Sequence, residues 1–248
     1  GYVVPKNDEF FSEYDKKNRL KTISNFSGSA GYAIILKDKN FLFVDGRYTL
    51  QAQLESGENF KIKDYQKIYN CSLFKNLTLG VDPKLFTSSQ LKKIFSKFNR
   101  FKLINTNLID QLNKDYSHNI KPFFSLKDNV TGLNYKKKIK KVLNYLVTKN
   151  LDYIFITAPE NVAWLMNIRG FDNPNSPVPN CHLLLSKKRE IYMVAEKKKV
   201  SKLVKEGKIK SNQVIVANQF EKLISSLKKG KISIDEKTCS LHNENILL

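Results

Sequence analysis

Apolar residues recur along the chain in two rhythms, short unbroken runs and stripes at helical spacing. Tyr2-Val3-Val4-Pro5, Tyr32-Ala33-Ile34-Ile35-Leu36 and Phe41-Leu42-Phe43-Val44 are runs rich in β-branched and aromatic side chains, and they predict buried strands. The polar break Lys37-Asp38-Lys39-Asn40 joins the last two as a hairpin. Leu79-Gly80-Val81 predicts a further strand. Behind Thr87-Ser88, which can cap a helix, Leu91, Ile94, Phe95 and Phe98 share one helical face.

The same order returns at an offset of about 150 residues, a period that means tandem domains and not a solenoid. Tyr153-Ile154-Phe155-Ile156 answers the first run, and His182-Leu183-Leu184-Leu185 with Ile191-Tyr192-Met193-Val194 answers the hairpin. Ile232-Ser233-Ile234 answers Leu79-Gly80-Val81, and Phe220, Leu223, Ile224 and Leu227 repeat the helical stripe. Strands alternating with helices predict an α/β fold, two tandem related domains, each a mixed sheet flanked by helices. The expected domains are 1–112 and 133–248, with a linker over 113–132. The second copy opens with a helix over 134–149, striped by Ile139, Val142, Leu143, Leu146 and Val147. Nothing precedes Tyr2 to match it, so by symmetry ~15–20 residues are expected to be missing from the front, the length of such a helix and its loop.

The glycine- and serine-rich loop Ser27-Gly28-Ser29-Ala30-Gly31 admits three readings. A phosphate cradle needs a helix N-terminus next, and a strand follows instead. A nucleophile elbow needs G-x-S-x-G between strand and helix, with a base in reach; the spacing here differs. The third reading is structural: Gly28 and Gly31 permit a tight, positive-φ turn into the hairpin. The hairpin leads to Asp45-Gly46-Arg47-Tyr48, where Gly46 also serves a turn, Asp45 caps a helix to about Ser56 and Gly57 ends it.

Composition narrows the function classes. The chain of 248 residues is 41% hydrophobic, enough for real cores, and no run approaches the ~18–20 apolar residues of a membrane span. Cys71, Cys181 and Cys239 are odd in number and far apart, which fits a reducing, cytoplasmic setting and makes no zinc motif. The net charge of +20 raises nucleic acid as a partner. Against it, only Arg19, Arg47, Arg100, Arg169 and Arg189 among the 43 basic residues are arginine, the residue that phosphate and base readers favour. The histidines His118, His182 and His242 lie in three separate segments without a clustered acid, so no metal role is expected of them; His182 opens a strand as a packing residue.

Four stretches, "SNFSGSAGYAII…FVDGRYTLQA", "LGVDPKLF", "TAPENVAWLMNIRGFDNPNSPVPN" and "ISIDEKTCS", together resemble the two N-terminal domains of the three-domain Xaa-Pro aminopeptidases, the long aminopeptidases P of the creatinase/prolidase superfamily. G-S-A-G…D-G-R-Y and A-W-L-x-N-x-R-G-x-D are the specific motifs, and the likeness covers nearly the whole chain in order. Asn25 departs from the glycine usual there, and Phe171 from a small residue. The resemblance implies a metallopeptidase that removes the first residue of peptides with proline second. Two divalent ions, usually manganese, would activate a bridging water in a third, pita-bread domain beginning after "CSLHNENILL". None of those ligands maps onto this chain, which is expected to hold no cofactor and to be inactive alone. The implied partners are its own C-terminal catalytic domain, a second copy in a homodimer and peptide substrates, with no nucleic acid and no membrane.

For the motif residues two readings stand. Arg47 and Tyr48 would face the catalytic domain or a partner subunit and shape the substrate entrance, or Arg47 pairs with a nearby acid while Tyr48 packs. Arg169 and Asp172, flanking Gly170, are candidates for an interdomain contact, and Trp164 is expected to pack. A stand-alone binding module that lost the catalytic domain, and a basic nucleic-acid binder, are the competing functions.

Overall fold

A computed structural model of the chain describes residues 1–14, 17–69, 74–95, 100–112, 120–227 and 229–248. It forms two compact units, Gly1–Ser117 with Ser240–His242, and His118–Cys239 with Asn243–Leu248.

The first unit runs β1 (Tyr2–Pro5), α1 (Arg19–Ser24), β2 (Gly31–Ile35), β3 (Asn40–Val44), α2 (Thr49–Ser56), β4 (Lys61–Asp64), β5 (Thr78–Val81), α3 (Ser88–Phe95) and β6 (Arg100–Leu103). Its sheet has the order β4-β3-β2-β1-β5-β6. The strands β1, β2 and β3 are antiparallel neighbours, and β4, β5 and β6 join in parallel. Side chains alternate across it: Val3, Tyr32, Ile34, Phe41 and Phe43 pack on one face with Leu91 and Ile94 of α3. Val4, Ala33, Leu42 and Val44 pack on the other with Leu20, Phe26 and Ala52. Burial on both faces explains why these strands read as unbroken apolar runs, and each buried Leu or Phe contributes about 1.5–3 kcal/mol. The expected cap of α3 is a reciprocal box: the Gln90 amide donates to Thr87 Oγ1 (3.2 Å) and the Thr87 amide to Gln90 Oε1 (2.9 Å). Phe98 of that expected helical face lies outside the described residues, as do Cys71 and His118.

The second unit runs β7 (Phe124–Ser125), α4 (Asp128–Thr131), α5 (Tyr135–Thr148), β8 (Tyr153–Ile156), α6 (Pro159–Met166), β9 (Ile168–Arg169), β10 (His182–Ser186), β11 (Ile191–Val194), α7 (Lys197–Lys205), β12 (Val214–Ile215), α8 (Phe220–Ser226) and β13 (Ile232–Ser233). Its sheet order, β12-β11-β10-β8-β13, repeats β4-β3-β2-β1-β5 strand for strand. The parallel and antiparallel senses also match. The duplication seen in the sequence is therefore a duplication of topology. Asn134 caps α5 by accepting from the Lys136 amide (2.8 Å).

The stretch expected as a linker needs correcting in its described part. Residues 120–132 carry β7 and α4, and β7 pairs with β9. Phe123 is fully buried and its amide donates to the Lys199 carbonyl (2.7 Å), so this segment is folded into the second unit.

Candidate functional site

The glycine loop begins at Asn25, which closes α1 in a left-handed conformation (φ 63°) with its amide on the Lys21 carbonyl (2.8 Å). Asparagine tolerates that backbone without glycine's help. Gly28 and Gly31 do not occupy positive φ, contrary to expectation, and Gly46 opens a tight turn without it; among the described glycines only Gly132 and Gly207 have positive φ. At two of the three the reason for glycine is close approach. A Cβ on Gly28 would overlap the Phe26 ring, and one on Gly31 would lie 2.9 Å from the Phe43 carbonyl oxygen. Around Gly46 the space is open.

The loop's serines are tied to the following helix. Ser27 donates to Glu55 through both its amide and its hydroxyl (2.7 Å each), and Gln51 Nε2 donates to Ser27 Oγ (2.8 Å). Ser29 Oγ shares a hydrogen bond with the Tyr48 hydroxyl (2.9 Å). Asp45 accepts from the Arg47 amide (3.0 Å) and from Arg47 Nε (2.9 Å), so it caps the turn and holds the arginine. Those two bonds from Arg47 keep the Asp45 carboxyl below its usual range. The Arg47 side chain remains 75% exposed, with its guanidinium 5.5 Å from the Tyr48 ring. Tyr48 is half-buried, edge-on to Phe26 at 5.9 Å. Gly57 closes α2 at φ −62°, an ordinary helical angle and not a left-handed cap.

In the second unit, Asn167 closes α6 at φ 51°, as Asn25 closes α1. Asn167-Ile168-Arg169-Gly170 thus repeats Asn25-Phe26-Ser27-Gly28: a left-handed asparagine, a fully buried apolar residue, a polar residue, then a glycine without room for a Cβ. A Cβ on Gly170 would lie 2.7 Å from Pro179 Cα. This N-x-x-G repeat was readable in the sequence, by aligning the two helix ends that precede the hairpins.

Cations gather on the carbonyls at the end of α6, where the helix dipole is negative. Lys138 Nζ donates to the Trp164 carbonyl (2.7 Å) and Asn167 Oδ1 (2.6 Å), and Lys208 Nζ donates to the Met166 carbonyl (3.0 Å). Burial pushes both amines down from their ordinary range. Arg169 turns back to donate to the Ile168 carbonyl (2.8 Å). Asp172 pairs with Lys199 (2.8 Å) and accepts from the Asn180 amide (2.6 Å). Arg169 and Asp172 thus both have partners inside the second unit, but different ones.

Trp164, expected to pack, is 57% exposed. Val162, Ala163, Leu165 and Met166 take the inward positions of α6, and at 100° per residue position 164 is left facing out. Lys138 Nζ sits 4.3 Å from its ring centroid. His182 is buried, as expected of a packing residue, with Nδ1 2.9 Å from the Thr157 carbonyl and the Phe155 ring edge-on. Burial lowers its pKa to about 4. The His242 amide donates to the Pro83 carbonyl (3.0 Å). Among the described residues no three His, Cys, Asp or Glu side chains group to hold a metal ion, and no helix is long and apolar enough to cross a membrane.

Known proteins share this arrangement. Models of the creatinase/prolidase N-terminal domain match residues 10–112 and 115–247. Xaa-Pro aminopeptidase 1 of Dictyostelium discoideum is 31% identical over 96% of this chain, which covers 42% of that protein. Aminopeptidase P2 of Arabidopsis thaliana is 31% identical over 74% of the chain, covering 28% of its own length. In structure, the chain is similar to an X-prolyl aminopeptidase of Caenorhabditis elegans, described as a cytosolic enzyme with a di-nuclear active site. There the TM-score is 0.78 at 26% identity, over 90% of this chain and 39% of that one. The chain therefore spans less than half the length of these relatives.

Proposed function

The chain belongs to the creatinase/prolidase N-terminal domain family, and from that premise we propose that it is the non-catalytic part of a metal-dependent Xaa-Pro aminopeptidase acting on peptides with proline second. The observation that carries this reading is the fit of both duplicated units to one solved X-prolyl aminopeptidase, over 90% of the chain. The described residues do not suit a di-nuclear metal centre, because they offer no grouped set of hard ligands. In this reading the metal ligands, manganese being the favoured ion, lie in polypeptide outside the 248 residues. No step of hydrolysis is assigned to any side chain here.

What these domains supply is shape. Discrimination for proline needs walls that reject other substrates, and domains without a metal can provide them. Arg47 is the residue proposed to meet substrate: it is held outward by Asp45, and its cation can receive a peptide carboxylate. Tyr48 fixes its base through Ser29. Asp172 acts one step back, by holding the loop over 172–180 through the Asn180 amide and Lys199, while Arg169, turned back onto the Ile168 carbonyl, remains a candidate for an interdomain contact. A cytoplasmic homodimer is part of the same proposal. The test is to express the chain with its native downstream sequence and assay manganese-dependent release of the first residue. Arg47→Ala should then raise KM or change the tolerated peptide length while metal content stays at the wild-type value. An extended protein that binds metal and ignores such peptides overturns the assignment.

A further inference from the structure

The two units treat one repeated position differently. Ser27 and Arg169 each stand two residues past a left-handed asparagine, inside the shared N-x-x-G. In the first unit that position meets a carboxylate, since Glu55 of α2 accepts from the Ser27 amide and hydroxyl. In the second unit α7 crosses over between β11 and β12 as α2 does between β3 and β4, but it carries no acid within its span. Glu206, just past its end, accepts from Ser125, and Asp172 is held by Lys199 and the Asn180 amide. Arg169 brings a full positive charge to the position and forms no ion pair among the described residues, where the second unit's pairs belong to Lys187 and Lys199.

Lys138 enlarges the imbalance. Only 3% exposed, its ammonium rests on two neutral oxygens, the Trp164 carbonyl and Asn167 Oδ1, and against the Trp164 ring. Burial, and after it the charge of Arg169, lowers the Lys138 amine, so the two cations feel one another. The end of α6 offers them only about half a unit of negative charge. Neighbouring cations without an acid carry a repulsion that an incoming anion relieves. Arg169 has the donors to receive one. Its Nη1 is turned onto the Ile168 and Ala163 carbonyls (2.8 and 3.4 Å). Nε and Nη2, an edge that can grip a carboxylate with two parallel bonds, donate to nothing among the described residues. We propose that Arg169, in the field of Lys138, is a carboxylate-binding site. The inference uses no part of the aminopeptidase reading.

Trp164, the single tryptophan, touches Lys138 through its ring and its carbonyl and so reports on the site. Its emission is followed in the 248-residue chain during titration with N-acetylglycine, and with N-acetylglycinamide as the neutral match, at constant ionic strength. The carboxylate should give a saturable change with a Kd below about 10 mM, and the amide none. Arg169→Gln should weaken binding at least about tenfold, and Arg169→Lys, which keeps the charge but loses the forked edge, by less. Equal responses to acid and amide overturn the inference, as does the absence of a saturable change. Wild-type affinity in both arginine variants also overturns it, and Arg169→Lys carries the comparison if Arg169→Gln shifts the thermal transition. The source of the carboxylate is read from the chain extended with its native downstream sequence. Loss of the response there assigns the site to an acidic side chain of that polypeptide, and a retained response assigns it to a separate ligand; both uphold the site. Peptide hydrolysis is not a readout, so the functional reading stands or falls separately.

Discussion

Arg19→Met should destabilise the first unit by about 3 kcal/mol at neutral pH. The Arg19 side chain is 3% exposed and makes three charge-assisted contacts. Nε donates to Asp110 Oδ1 (2.6 Å), Nη2 to Asp110 Oδ2 (2.8 Å) and Nη2 to Glu9 Oε1 (2.5 Å). Hydrogen bonds to charged groups contribute ~1.5–3 kcal/mol each, so three would sum to at least ~4.5 kcal/mol. Asp110 and Glu9 keep 34% and 32% of their side-chain surface in water, so solvent recovers part of the loss when the cation goes. Arg19→Lys keeps the charge but cannot span both Asp110 oxygens and Glu9 together, and should cost about half as much.

The same site fixes a pH dependence. Burial would raise the Glu9 and Asp110 carboxyls, and Arg19 more than offsets it, so both lie below their ordinary range. A carboxyl with a depressed folded pKa stabilises fully above its unfolded value of ~4, and that stability is lost as pH falls through the folded value. The gap between wild type and Arg19→Met should therefore narrow below about pH 4. Urea denaturation followed by far-UV circular dichroism measures it, with emission from Trp164, the single tryptophan, identifying the second unit's transition. A loss below about 1 kcal/mol at pH 7, or a gap that stays constant down to pH 3, refutes the reasoning.

Other expectations follow from single sites. His182 is held neutral near pKa 4 by burial, so the unfolded chain binds more protons between about pH 6.5 and 4 and stability rises with pH across that window; His182→Asn should flatten the slope in denaturation series. Gly170→Ala should cost about 1–3 kcal/mol against the Pro179 backbone, whereas Gly46→Ala, with open space around it, should stay within ~0.5 kcal/mol by thermal melt. Arg47→Ala should leave the thermal transition where it is, since its pair with Asp45 is open to solvent.

Continuous apolar runs made the strands legible, because sheets covered on both faces leave no polar alternation to confuse. The α5 and α3 starts were legible because Asn134 and Thr87 carry their caps in their own side chains. What stayed hidden was decided by space and not by pattern. Gly28 and Gly31 are glycines because Phe26 and the Phe43 carbonyl crowd them, which no turn propensity encodes. Trp164 faces outward because four neighbours on α6 claim the interior. The folded state of residues 120–132 hangs on Phe123 and a two-residue strand, too short for any periodicity to register. At the candidate site, pairing of Arg47 with a nearby acid was one of two readings the sequence left open; that the acid is Asp45, and that Asp172 meets Lys199 and the Asn180 amide, depends on the folded backbone.

The central claim, that these twin domains belong to an Xaa-Pro aminopeptidase whose metal ligands lie elsewhere in the polypeptide, meets its most direct test in paired assays with manganese. The 248-residue chain and the chain extended by its native downstream sequence are given matched tripeptides with proline or alanine second, and bound metal is measured after dialysis. The predicted result is that the short chain retains no stoichiometric metal and releases nothing, while the extended protein frees the first residue and prefers proline by at least ~10²-fold. Turnover by the short chain, or an extended protein that holds metal without favouring proline, contradicts it.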